Sequence, residues 1–371
     1  MKVFFTAAAF AAALLMTCCS SDGQQKLITG SYSDTGEGGI NVFSFNTENG
    51  SLSATATFNA GKNPSYICFG KGTDLVYAIN EVDSFDSSPH SGGLTTLKHN
   101  GSFGSFSKVG EMAIPNGGPC HITLSPGNKF LLVANYGGGS VAVVKLGNNG
   151  IPEKVTDTIV FKGNNGSVSH AHMSGFDPQG ERVYVSDLGL DRIWIFTLDS
   201  QTGRLRPFIT DGIKLPEGTG PRHFVFNESG SVMYVIGELN STMTVLKRDN
   251  EKGLVAVQTI STLKEGDTVK NACADIHIGK SGTFLYGSNR GDNSIVVYSI
   301  RNDGSLQLTG QTGCGGNWPR NFTIDPSGKF MLVGNQKSNN IAVFKIDEKN
   351  GMPAVKVNDL KLHSPVCLKF N

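Results

Sequence analysis

Residues 167–177 read SVSHAHMSGFD and set His170 and His172 two positions apart, in a chain with eight histidines. Imidazole titrates close to neutrality. Such a pair can ligate a metal, act as a catalytic base with a helper, or lie buried in hydrogen bonds. On an extended strand both rings share one face. No carboxylate or thiolate completes an obvious ligand set and no CxxC occurs, so neither a metal site nor a cofactor is expected. A GxSxG nucleophile elbow and a P-loop are also missing from the sequence. The other residues with chemical potential, Arg222 in GPRH, Glu238 in GELN and Arg290 in SNR, gain meaning only from the elements that carry them.

Those elements repeat. One phrase recurs along the chain: a proline, a short apolar run, a turn with glycine, an apolar run ending in Asn, then a third run. Copies read NPSYICFGKGTDLVYAINE from 63, GPCHITLSPGNKFLLVANY from 118, HAHMSGFDPQGERVYVSDL from 170 and GPRHFVFNESGSVMYVIGE from 220. Two more read ACADIHIGKSGTFLYGSNR from 272 and WPRNFTIDPSGKFMLVGNQ from 318. Third runs such as SVAVVKL and NIAVFKI follow, then a weaker fourth. Prolines at 64, 119, 221, 319 and 365 mark the unit, which is about 50 residues long and fits a four-stranded propeller blade. The β-branched and aromatic content of the runs suits strands. The chain is expected to be all-β, a seven-bladed propeller. KLITGSY at its start matches a second run and SPVCLKF at its end matches a first, so the C-terminal strand should close the ring and remove exposed edges. A single domain over 26–371 is expected, with one insertion around DSFDSSPHSGG.

Aligning the repeat on itself yields two rings of positions at one mouth of the propeller. The residues after the proline are Ser65, Cys120, His172, Arg222, Ala274, Arg320 and Val366. Those after the Asn are Tyr32, Glu81, Tyr136, Leu188, Glu238, Arg290 and Gln336. Several copies carry charge where others carry Ala, Cys, Val or Leu, which is costly unless the charges are paired or solvated. A functional cluster would explain this, and so would a structural ion-pair network such as Glu238 with Arg222. His121 and His223 fall one step out of the first ring. Strand alternation puts them on the opposite face, where a structural role is expected.

Composition bounds the partners. Net charge is +1 and only 17% of residues are charged, so a nucleic-acid partner has no electrostatic footprint. The start, MKVFFTAAAFAAALLMTCCSSDG, has Lys2 before an apolar stretch too short to span a membrane. LMTC resembles a bacterial lipoprotein signal. Residues 1–18 are read as a leader cleaved near Cys18, with lipid on that thiol or on Cys19. Export to the periplasm or outer membrane follows, with membrane contact only through the anchor. The remaining cysteines, Cys68, Cys120, Cys273, Cys314 and Cys367, are odd in number and offer no disulfide framework. They are expected to be small buried hydrophobes. The expected state is a monomer.

GGPCHITLSP, VANYGGGSV, HAH, GPRH, GELNS, SNRGDNSI and DPSGKFMLVGNQ together resemble the propeller lactonase family, over residues 26–371. That family includes the bacterial propeller-type 6-phosphogluconolactonase and the fungal carboxy-muconate lactonizing enzyme. The resemblance implies a site of one histidine, two arginines and one glutamate. Carried over by motif, these fall on His172 in HAH, Arg222 in GPRH, Arg290 in SNR and Glu238 in GELN. The implied activity is hydrolysis of a sugar lactone, by family default 6-phospho-D-glucono-1,5-lactone. Lactone opening needs an activated water, a home for carbonyl charge and a proton for the leaving hydroxyl. His172 or Glu238 could act as base, and Arg222 and Arg290 as oxyanion or anion clamps. His170, Arg320, Gln336, Glu81 and Tyr136 are the candidates for substrate contact. An exported enzyme would sooner meet an unphosphorylated lactone. Two alternatives remain: a non-catalytic surface propeller binding sugar or protein, and a lactonizing cycloisomerase using the same residues in reverse.

Overall fold

The computed structural model describes residues 23–371 except 36–37, 102–103, 165 and 250–252. The leader call, with Cys18 and Cys19, lies outside the described residues. Among the described residues all regular structure is strand, arranged as seven antiparallel four-stranded sheets and one short hairpin. The innermost strands are Pro64–Phe69, Pro119–Leu124, Ala171–Phe176, Pro221–Phe226, Ala272–Ile278, Pro319–Ile324 and Pro365–Phe370. Each touches the next around the ring. The last of these pairs with Gln24–Ser31, matching Leu27 to Phe370 and Gly30 to Cys367. The first blade is therefore built from both ends of the chain, as the repeat predicts. Counting from it, blades 2 to 7 follow in chain order.

Apolar runs explain the packing. The second strands Leu75–Asn80, Phe130–Asn135, Val232–Gly237 and Phe330–Asn335 are buried along their whole length. Both faces of each are covered by neighbouring blades. Leu75, Tyr77 and Ile79 of blade 2, for example, pack with Leu131, Val133 and Val144 of blade 3. Outer strands such as Leu205–Lys214 are largely exposed. Tyrosines inside these cores find partners one blade on. Tyr77 Oη donates to the Gly150 carbonyl at 2.7 Å, and Tyr234 Oη to that of Gly304 at 2.9 Å. The recurring Asn also has a physical reason. Its buried Nδ2 donates to the segment arriving from the preceding blade: Asn80 to Ala60 at 2.6 Å, Asn289 to Thr262 at 2.9 Å and Asn335 to Cys314 at 3.0 Å. Each bond gives a backbone carbonyl of that segment a buried donor.

The insertion is a hairpin, Ser84–Phe85 with Ser88–Pro89, between the second and third strands of blade 2. Its Phe85 ring lies where a Cβ on Gly93 would sit, 2.2 Å from it, so that strand position requires glycine.

One irregularity decides what faces the axis. Register shifts occur just after the start of the innermost strands, between Pro119 and His121, Ala171 and Met173, and Pro319 and Asn321. A bulge there breaks alternation, so two successive side chains turn toward the axis. His121 and His223 are thus not on the opposite face, as alternation predicted. Tyr66, His121 and His223 come from blades 2, 3 and 5, yet meet with ring centroids 4.3 Å (Tyr66–His121), 5.6 Å (His121–His223) and 6.1 Å (Tyr66–His223) apart. Blades 2 and 5 are not neighbours, so these rings meet across the central channel and floor its mouth.

Candidate active site

The two rings do converge at one mouth. Arg222 starts the first strand of blade 5 and Glu238 follows its second, while Arg290 ends the second strand of blade 6. Glu238 Oε2 lies 2.9 Å from Arg222 Nε and 2.7 Å from an Arg290 terminal nitrogen. The Arg222 Nε contact is off the line of a hydrogen bond and so chiefly electrostatic. Both guanidiniums are also pinned to blade 6 backbone. Arg222 donates to the Ala274 carbonyl at 2.6 Å, and Arg290 to those of Ala272 at 3.1 Å and Cys273 at 3.0 Å. Both arginines approach Glu238 through the same oxygen, Oε2. Burial is the main cause lowering both arginine pKa values, that of Arg290 to about 10, with Glu238 opposing the shift.

A second charged group lies opposite. Tyr32 Oη reaches both Glu81 oxygens at 2.9 Å, and Arg320 approaches Glu81 Oε2 at 3.8 Å with its guanidinium 5.1 Å from the Tyr32 ring. Burial opposes charge on Arg320, but Tyr32, Glu81 and Glu238 together raise its pKa. Burial, with Glu81 at its hydroxyl, raises that of Tyr32.

His170 and His172 serve different neighbours. The His170 ring stacks on Tyr136 at 4.4 Å, with Nδ1 3.0 Å from the Tyr136 carbonyl, and its backbone N–H donates to Asp187 Oδ1. His172 is buried, edge-on to Tyr136 at 5.7 Å and to His223 at 5.1 Å, and its Nδ1 has no hydrogen-bond partner. The buried Oε1 of Gln336 is likewise unpartnered. The candidates in contact divide into a Glu238 group with Arg222 and Arg290, a Glu81 group with Tyr32 and Arg320, and a stack of Tyr136 with His170 and His172, while the Gln336 side-chain oxygen joins none of them.

Sequence reasoning missed the layer beneath. Asp275 is buried at the axis, where Oδ1 lies 2.8 Å from His223 Nδ1 and Oδ2 lies 3.0 Å from His277 Nε2. It also accepts from Asn321 Nδ2 and the Phe322 N–H. Burial opposes its charge, yet His277 and His223 hold the carboxyl well below the usual range. The Asp275 contact places the His223 proton on Nδ1, so Nε2 faces an Arg222 terminal nitrogen at 3.4 Å as an acceptor. Two signals could have found this layer: the bulge, and an Asp one step past the first ring in a single copy.

Three buried histidines make stability depend on pH. Burial depresses the pKa of His121, His172 and His223, that of His223 to about 4, and Arg222 depresses all three further. The unfolded chain takes up protons near pH 6.5 that the folded state refuses until lower pH. Stability is therefore full above that value and declines as pH falls below it, by about 1.4 kcal/mol per pH unit for each histidine, or about 4 for three. Thermal melts should show the midpoint dropping steeply from about pH 6.5 to about pH 5. A flat midpoint across that window would contradict the burial of neutral imidazoles.

Comparison with known proteins follows the same outline. Residues 26–370 match the family model described as lactonase, seven-bladed β-propeller. A 6-phosphogluconolactonase of Formosa agariphila is 34% identical over 88% of this chain and 93% of its own length. One of Bacillus subtilis is 27% identical over 92% and 97%. The solved structure of a periplasmic gluconolactonase of Pseudomonas aeruginosa superposes with a TM-score of 0.87 at 26% identity, covering 94% of this chain and 99% of that one.

Proposed function

Because the chain belongs to the seven-bladed β-propeller lactonase family, we propose that it hydrolyses a sugar lactone at the mouth formed by His172, Arg222, Glu238 and Arg290. The observation that carries this reading is the sharing of one Glu238 oxygen by two buried arginines. A water held by Glu238 attacks the lactone carbonyl carbon and gives its proton to the carboxylate. As Glu238 loses its charge, the carbonyl oxygen gains one, and Arg222 and Arg290 transfer their attraction to it. Charge in the site is conserved through the step, which limits the electrostatic cost of the transition state. When the ring C–O bond breaks, the proton passes from Glu238 to the leaving oxygen, and the aldonic acid that forms ionises at neutral pH and releases the proton the assay reads.

His172 suits a different task. Burial and the arginine charges keep it neutral, so its protonated form is a poor destination for the water's proton. Its buried ring, edge-on to Tyr136 and His223, positions those neighbours, and we assign substrate contact to His170, Tyr136, Arg320, Gln336 and Glu81. The physiological substrate we infer is an unphosphorylated aldono-lactone. Arg222 and Arg290 already share Glu238, and Arg320 has Glu81. That leaves the exposed Lys337 at the rim as a cation without an acidic partner, less positive charge than a phosphate dianion would call for. The leader supports the same choice, since an exported enzyme would not meet cytoplasmic sugar phosphates. A chain that carries no covalent lipid on Cys18 or Cys19 would remove the anchor from this account.

The test is proton release by the purified mature protein on δ-gluconolactone, its 6-phosphate and a panel of other lactones. Hydrolysis of gluconolactone above the spontaneous rate, with higher kcat/KM than for the phosphate, is the expected result. Background rates throughout would dismiss lactone hydrolysis, and a clear preference for the phosphate would reverse the substrate assignment.

A further inference from the structure

Trp318 stands where four other copies of the repeat carry Asn63, Gly118, Gly220 and Ser364 and the blade 4 copy carries His170. The position before the inner-strand proline is left-handed in blade after blade, with φ of 47° at Asn63, 58° at Gly118, 57° at Gly220, 39° at Ser364 and 69° at Trp318. Glycine and Asn adopt that conformation readily, whereas for a bulky side chain it is strained by roughly 1–3 kcal/mol. Strain of this kind persists where something else holds or uses the residue. Packing does not explain it, because the half-buried indole joins none of the apolar clusters between blades.

What the ring touches is positive charge. Arg290 of the Glu238 clamp lies 5.4 Å from its centroid, and the Lys337 ammonium sits 3.3 Å above it. Lys337 is exposed, so its side chain can leave the ring without breaking the fold. The face it covers attracts electropositive groups. The C–H face of a saccharide ring carries such partial positive charge.

We propose that Trp318 is a sugar-stacking subsite at the rim, displacing Lys337 and holding the ring of a polyhydroxylated lactone against the Arg290 side of the mouth. The inference rests on the lactonase reading and names a residue that fixes substrate class within it. Stacking remote from the reacting carbonyl contributes equally to ground and transition states, so its loss raises KM and leaves kcat alone.

The experiment uses Trp318→Asn, the residue blade 2 tolerates at this position. With gluconolactone, KM should rise about tenfold, the change expected for about 1.4 kcal/mol of lost contact, while kcat stays within about twofold. The melting temperature should hold or increase as strain is relieved. An unchanged KM, or a melting temperature that falls sharply, would overturn the proposal by making the indole inert or structural. A second readout does not depend on turnover. The chain has two tryptophans, and Trp194 is stacked on Phe161 at 4.9 Å and 6°. In a Trp194→Phe protein, 1,5-anhydroglucitol, which keeps the pyranose ring and cannot be hydrolysed, should shift Trp318 emission. That shift in a protein inactive on every lactone would uphold the subsite and reject the lactonase reading. Activity with no shift would do the reverse.

Discussion

Replacing Glu238 by glutamine should lower kcat on the lactone substrate by about 10²–10⁴-fold, the usual size of a lost acid–base group. Glutamine keeps the shape but cannot take a proton from water at neutral pH. It also leaves Arg222 and Arg290 without the oxygen charge they share. Removing one partner of a buried ion pair costs about 3–5 kcal/mol where the remaining charge is stranded. Here both guanidiniums keep hydrogen bonds to backbone carbonyls of blade 6, so they stay in place and the protein should fold with a lowered melting temperature. Kinetics taken well below that temperature separate chemistry from stability. The loss should fall on kcat, with KM changed little. Retention of the rate within about threefold would remove Glu238 as the base.

Deleting residues 364–371 should abolish the folded state. The strand Pro365–Phe370 is the fourth strand of blade 1, and Val366, Cys367 and Leu368 on it are almost fully buried. Burial of each such side chain contributes about 1.5–3 kcal/mol, which over the strand approaches the whole stability of a typical domain, about 5–15 kcal/mol. The deletion also strips the partner from Gln24–Ser31, exposing an edge inside the ring. It removes the Leu368 N–H that donates to Asn321 Oδ1 at 2.6 Å, and with it one of the ties around Asp275. Soluble yield and circular-dichroism melts check this. A soluble truncated chain melting within a few degrees of the intact one would show that ring closure contributes little.

Much of the architecture was readable because each copy repeats the same physical solution. The buried second strands announce themselves as unbroken apolar runs, and the terminal Asn marks the tie to the preceding blade. Self-alignment then brought His172, Arg222, Glu238, Arg290 and Arg320 to one mouth without coordinates. It named Glu238 with Arg222 as a pair, which the structure bears out, but not the other pairings. That Arg222 and Arg290 converge on Glu238, while Arg320 turns to Glu81 and Tyr32, depends on side-chain reach across the ring. Alternation failed at His121 and His223 because a bulge at the strand start shifts the period by one, and no single residue type marks that bulge. Asp275 escaped notice for the same reason. Trp318 escaped because left-handed backbone is a property of the turn, visible in sequence only as Asn, Gly or Ser in four other copies.

The account stands most directly on where a lactone binds. Crystals of the Glu238→Gln protein soaked with δ-gluconolactone should trap the unhydrolysed ring at the mouth. Its carbonyl oxygen should lie within hydrogen-bond distance of Arg222 or Arg290, and its carbonyl carbon should face the side chain at position 238. A lactone bound elsewhere on the propeller, or at this mouth with its carbonyl turned away from both arginines, would contradict it.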